Sequence, residues 1–196
     1  MIIYCHGFGS SGQATKAQIL REQLRDKKVV APDLPLEPFK AIEILIRNSQ
    51  PQTEEKPKIL LVGSSLGGFY ALHLHQEYGF PAILLNPTVD PIGDTDPRDR
   101  NIIDSDEPEL VAWCNEYTEQ IKKLYHPAKS INPENLFIFL NQDDELLDYG
   151  KALKYFSATD CQVTVFKSGG HRFMNFLELI PTVRAIYENL PPLSII

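Results

Sequence analysis

Short apolar runs separated by amphipathic stretches set the rhythm of this chain. Ile2–Cys5, Val29–Ala31, Ile59–Val62, Ala82–Leu85, Leu136–Leu140 and Gln162–Phe166 read as strands. Ile59–Val62 is apolar at every position and stops at Gly63, as a strand covered on both faces does. Between the strands the apolar period lengthens. Gln13–Lys27 puts Ala14, Ala17, Leu20 and Leu24 on one side of a helix, and Glu37–Asn48 does the same with Ile42, Leu45 and Ile46. Ser65–Tyr78, Leu146–Phe156 and Phe173–Asn189 also read as helices. This alternation predicts a single α/β domain over 1–196, with a mostly parallel sheet of about six strands and helices on both faces. In such sheets the ligand site lies at the carboxyl ends of the strands.

One stretch breaks the rhythm. Thr88–Asn135 separates two strands and is too long for a simple crossover. Within it, Asp90–Glu109 carries eight acids against two arginines, and Glu109–Leu124 has helical character. The stretch reads either as a cap over the site or as a solvated insertion.

Composition narrows the function classes. Net charge is −7, so the chain lacks the basic stripe that nucleic acid or an anionic membrane surface requires. Cys5, Cys114 and Cys161 are sparse and far apart, giving neither a disulfide framework nor a metal-binding pair. Met1 leads straight into a strand-like run without a basic signal region, and a cytoplasmic location is expected. No metal or cofactor is expected; oligomeric state is left open.

The sharpest chemical signal is Gly63-Ser64-Ser65-Leu66-Gly67, a G-x-S-x-G between a buried strand and a helix. A tight strand–turn–helix lifts a serine hydroxyl above the sheet, and the flanking glycines make room for the turn. The helix that follows aims its amino end at developing negative charge. Ser65 is therefore the candidate nucleophile.

A hydroxyl needs a base, and the base needs an orienting carboxylate. The fold that uses this turn places them in the order serine, acid, histidine. His171 follows the last strand in Ser168-Gly169-Gly170-His171 and is the candidate base. His73 and His75 lie on the helix after Ser65 and face away, and His126 lies in the insertion. The acid belongs after Leu136–Leu140, where Asp143, Asp144 and Glu145 are consecutive. Asp144 is preferred and Asp143 is second. The oxyanion requires two backbone N–H groups, assigned to Leu66 and to Phe8 in the loop His6–Ser11. His6 is expected to brace that loop.

Taken together, His6-Gly7-Phe8-x-Ser10-Ser11, Val62-Gly63-Ser64-Ser65-Leu66-Gly67-Gly68, Asn86-Pro87, Asp144-Glu145 and Gly170-His171-x-Phe173 resemble the YqiA/YcfP family of small bacterial α/β-hydrolase esterases. The resemblance spans nearly the whole chain. It implies an α/β-hydrolase fold and hydrolysis of short to medium acyl esters, or thioesters, with Ser65 as nucleophile, Asp144 as acid and His171 as base. Asp143 stands where that family tends to have glycine. The acidic insertion is expected to repel anionic substrates such as coenzyme A thioesters, with Lys122, Lys123 and Lys129 as local offsets.

Two other classes compete. Gly7-x-Gly9-x-x-Gly12, with Asp33 about twenty residues on, spells a dinucleotide fingerprint. Tyr125-x-x-x-Lys129 then mimics the Tyr/Lys pair of nicotinamide-dependent reductases. Pro127 between them argues against a shared helix. A hydrolase scaffold that only binds ligand is the third class.

Overall fold

The computed structural model describes residues 1–50, 58–92 and 108–191. Its elements run β1 (Ile2–Cys5), α1 (Thr15–Gln23), β2 (Val29–Val30), α2 (Pro38–Ser49), β3 (Leu60–Ser64), α3 (Leu66–Tyr78), β4 (Ala82–Leu85), α4 (Pro108–Leu124), β5 (Leu136–Asn141), α5 (Tyr149–Phe156), β6 (Gln162–Phe166) and α6 (Phe176–Asn189). The six strands form one sheet in the order β2-β1-β3-β4-β5-β6, and every pairing is parallel. The strand order reverses between β1 and β3, so a crevice opens beyond their carboxyl ends.

Strand side chains alternate between two cores. Ile3, Cys5, Leu61, Ala82, Leu84, Ile138 and Leu140 join α2, α3, α4 and α5 on one face. Ile2, Tyr4, Leu60, Val62, Ile83, Leu85 and Phe139 join α1 and α6 on the other. Because both faces are covered, the central strands lose the polar alternation of a half-exposed sheet. Truncating a core leucine such as Leu61 to alanine costs about 2–5 kcal/mol in such an environment.

Element ends depart from the sequence pattern where tertiary bonds intervene. The Leu146–Phe156 helix begins only at Tyr149, because Asp144 Oδ1 accepts the N–H groups of Leu146 and Leu147 at 2.9 Å each and holds them in a turn. Asp148 then caps the helix through the Gly150 N–H at 2.8 Å. The last helix begins at Phe176 rather than Phe173, because Phe173 has φ 54°, which no helix accommodates. The helix expected at Glu109–Leu124 forms as α4, with a kink at Tyr117. Most of the acidic run preceding it, 93–107, lies outside the described residues. Among the described residues, no helix is long and apolar enough to cross a membrane.

Candidate active site

Ser65 sits at the turn between β3 and α3 with φ 55° and ψ −124°. Such a conformation is strained for a residue with a side chain and persists only where the surroundings fix it. Here they do so from both sides. Ser65 N–H donates to Leu85 O at 3.1 Å, and Ser65 O accepts from Gly68 N at 2.8 Å and Thr88 N at 3.2 Å. The glycines of the motif are required by contact. A Cβ on Gly67 would run into the Cys5 carbonyl oxygen of β1, and one on Gly63 into the Gly67 carbonyl. Leu66 is the first residue of α3, so its N–H is one of those a helix leaves without an internal acceptor. The sequence-based expectation of a strand–turn–helix around Ser65 is met at each of these points.

The first loop lies beside this turn. Gly7 is so near Ser65 that an added Cβ would stand 3.2 Å from the serine Cβ. The loop closes with Ser10 N–H donating to Gly7 O at 3.3 Å. His6 is buried and accepts the Leu34 N–H through Nε2 at 2.9 Å, so its proton is on Nδ1, 2.9 Å from Gly7 O. His6 thus ties the loop carrying Phe8 to the segment after β2, as expected of a bracing residue.

His171 and the three consecutive carboxylates form one unit. Asp144 places both oxygens 3.0 Å from His171 Nδ1, and its side chain is only 2 % exposed. Asp143 accepts from Gly170 N at 2.9 Å and from Gly169 N at 3.2 Å, and these two amide dipoles hold its carboxyl below the usual range. Glu145 accepts from the His171 backbone N–H at 2.8 Å. The geometry therefore puts Asp144, not Asp143, on the imidazole. With Nδ1–H donated to Asp144, Nε2 is the free nitrogen.

Two buried asparagines complete this loop. Asn86 Oδ1 accepts from Asn141 N at 2.8 Å, and its Nδ2 donates to Gly170 O at 3.0 Å. Asn141 Nδ2 donates to the same carbonyl at 3.0 Å. Asn86 and Asn141 close β4 and β5, so the ends of two strands clamp the histidine loop that follows β6.

Ser65, Leu66, Phe8 and His171 line one pocket of about 660 Å³ at the carboxyl ends of the strands. That volume suits a small-molecule ligand. Trp113 of α4 also lines it and packs edge-on against Phe8, with ring centroids 5.8 Å apart. Lys16 and Arg172 are its lysine and arginine lining residues.

The remaining candidates are placed elsewhere. His75 is buried, its ring nitrogens facing Phe80 O at 2.8 Å and Asn132 O at 2.9 Å. His73 Nδ1 lies 3.1 Å from His126 Nε2, away from the pocket lining. Asp33 accepts the Gly12 N–H at 2.7 Å, so the carboxylate a dinucleotide would need for its ribose is already engaged. A Cβ on Gly12 would run into Ala31 O, which explains that glycine by packing. Tyr125 follows the end of α4, and Lys129 sits in a separate turn, Ala128–Ser130. The two share no helix.

A family model described as an uncharacterised protein family, UPF0227, matches residues 1–188. The chain belongs to UPF0227. This is the YqiA/YcfP group that its motifs resemble. A UPF0227 protein of Vibrio vulnificus strain CMCP6 is 23 % identical over 192 residues, covering 96 % of this chain and 99 % of that protein. One from Yersinia enterocolitica is 26 % identical over 151 residues, covering 76 % and 77 %. Among solved structures, the mouse alpha/beta hydrolase domain-containing protein 10 aligns with a TM-score of 0.70 at 16 % identity, over 94 % of this chain and 89 % of that one. Est1E from Butyrivibrio proteoclasticus, solved with ferulic acid bound, aligns with a TM-score of 0.68 at 18 % identity, over 95 % and 86 %. The UPF0227 chain therefore has the α/β-hydrolase fold.

Sequence reasoning overlooked four residues of this UPF0227 site. Asn86 stood in the family motif Asn86-Pro87 but was given no role. Asn141 is the last residue of β5, and nothing in its spacing marks it. Lys16 and Arg172 come from opposite ends of the sequence and meet only in the fold.

Proposed function

We propose that this UPF0227 chain is a serine esterase that hydrolyses small to medium acyl esters, or thioesters, through an acyl-enzyme intermediate. The observation that carries the reading is His171. Its Nδ1 is held by a buried carboxylate while the ring lines the pocket that Ser65 also lines.

In the first step His171 Nε2 takes the Ser65 hydroxyl proton as Oγ attacks the ester carbonyl carbon. Asp144 orients the ring and stabilises the imidazolium that forms. The N–H groups of Phe8 and Leu66 hold the oxyanion of the tetrahedral intermediate, aided by the amino end of α3. The intermediate collapses, the carbon–oxygen bond to the alcohol breaks, and His171 returns the proton to the leaving oxygen. In the second step His171 takes a proton from water, the hydroxide adds to the acyl-enzyme, and Ser65 leaves reprotonated. No metal or cofactor takes part in either step. The substrate is a small molecule rather than nucleic acid or membrane.

Hydrolysis of p-nitrophenyl butyrate by purified protein tests the reading. Ser65→Ala and His171→Ala are expected to lose about a thousandfold or more in turnover. Near-normal turnover in Ser65→Ala contradicts it.

A further inference from the structure

We propose that the ester bound here carries an anionic group, a carboxylate or a phosphate, that seats between Lys16 and Arg172. The inference deepens the esterase reading and rests on it for the word ester, while the anion site itself rests on separate observations.

Lys16 lies in the first turn of α1, and Arg172 follows the proposed base directly in the chain. The two are brought together by a hydrogen bond from Lys16 Nζ to Arg172 O at 2.7 Å. Both line the pocket that contains Ser65 and His171, and no aspartate or glutamate is among its described lining residues. This is a marked local reversal in a chain with 26 acids and 19 bases.

Neither cation has a carboxylate partner among the described residues. Other cations of the fold are paired with carboxylates. Lys27 bonds Asp26 at 2.9 Å, Lys40 bonds Glu37 at 2.7 Å, Lys122 bonds Glu119 at 2.9 Å and Arg184 bonds Asp26 at 2.8 Å. Lys16 is moreover half-buried, and that burial, with Arg172 adding to it, pushes its ammonium down to about 8. Arg172 is exposed, and the Lys16 ammonium, bonded to the Arg172 carbonyl, still faces a second positive charge that no carboxylate offsets among the described residues. An incoming anion does so, accepting hydrogen bonds from both groups.

The rest of the pocket matches an amphiphilic ligand. Ile19, Leu146, Leu147 and Phe176 supply apolar wall, and the cations occupy the part reached by α1 and the loop after His171. The expectation that anionic esters are repelled came from the acidic insertion, most of which lies outside the described residues. The charge of the described pocket wall has the opposite sign.

Matched ester pairs test the proposal and locate the anion. 4-Nitrophenyl hydrogen adipate against 4-nitrophenyl hexanoate probes an anion on the acyl side. 4-Carboxyphenyl and 4-phosphophenyl butyrate against phenyl butyrate probe a carboxylate or a phosphate on the alcohol side. In at least one pair the anionic member is expected to have kcat/KM roughly tenfold higher, the scale of a charge-assisted hydrogen bond. The readout is the anionic-to-neutral ratio within each protein, which cancels any general loss of activity. That ratio is expected to fall toward one in Lys16→Met and in Arg172→Gln, and to shrink at high salt. Equal kcat/KM within all pairs, or a preference that survives both substitutions, overturns the proposal. Trp113, the single tryptophan, lines the pocket and gives a second readout that needs no turnover. In Ser65→Ala its fluorescence is expected to report tighter binding of the anionic member, lost with Lys16→Met. Equal affinity for anionic and neutral members there also overturns the proposal. An anion preference seen by binding alone, with no hydrolysis of any ester, contradicts the esterase reading and leaves the anion site supported.

Discussion

Asp144 holds His171 Nδ1 with both carboxylate oxygens, each at 3.0 Å, and its side chain is 2 % exposed to solvent. Its neighbours in sequence do other work on the same loop, Asp143 at the Gly169 and Gly170 amides and Glu145 at the His171 amide. This division of labour gives a test by isosteric change. Asp144→Asn is expected to lower kcat by about ten-thousandfold, because an amide cannot stabilise the imidazolium and favours the wrong tautomer. Asp143→Asn keeps an oxygen able to accept from the glycine amides and is expected to lose less than about tenfold. Steady-state kinetics of the two variants on one ester decides it. Equal losses contradict the assignment of Asp144.

The motif glycines differ sharply in what they tolerate. Gly67→Ala drives a Cβ into the Cys5 carbonyl, and neither backbone segment can yield without disturbing the Ser65 turn. A loss of stability of about 3 kcal/mol or more is expected. Gly79 closes α3 with φ 67° and open space around it, so Gly79→Ala is expected to lose only about 1–2 kcal/mol. Urea denaturation of both variants measures the difference.

Lys16 predicts a pH signature of its own. Its folded-state pKa of about 8 lies below the ordinary 10.5, because burial, with a contribution from Arg172, disfavours the charged form. The folded protein therefore binds fewer protons at this group than the unfolded chain between these values. The cost is fully present below pH 8 and is relieved as pH rises from 8 toward 10.5. Stability of Lys16→Met relative to wild type is accordingly expected to be greatest near neutral pH and to decline steadily over that window. Denaturant midpoints taken from pH 7 to 10.5 check the slope. A constant difference contradicts the burial of a charged lysine at this site.

Much of the fold was legible because the central strands are buried on both faces and read as unbroken apolar runs. The Ser65 turn was legible because its geometry demands glycine at fixed spacing, and Gly63 and Gly67 are each forced by a backbone contact. Helix starts were less legible. Leu146 and Leu147 fit a helical period yet are held out of α5 by the carboxylate that holds His171. Phe173 fits the period of α6 but adopts a positive φ. The acid was ambiguous because three carboxylates in a row have the same chemistry, and only the direction of each side chain separates them. Lys16 was invisible. On α1 it reads as one more polar residue on a solvated face, and its meaning arises from Arg172, distant in sequence.

The most direct test of the central claim is labelling by a fluorescent fluorophosphonate, read by intact mass on wild type and on Ser65→Ala. A single adduct on the wild type and none on the variant is the predicted result, since only an activated serine reacts with this probe at neutral pH. An adduct on both proteins, or on neither, contradicts Ser65 as an activated nucleophile.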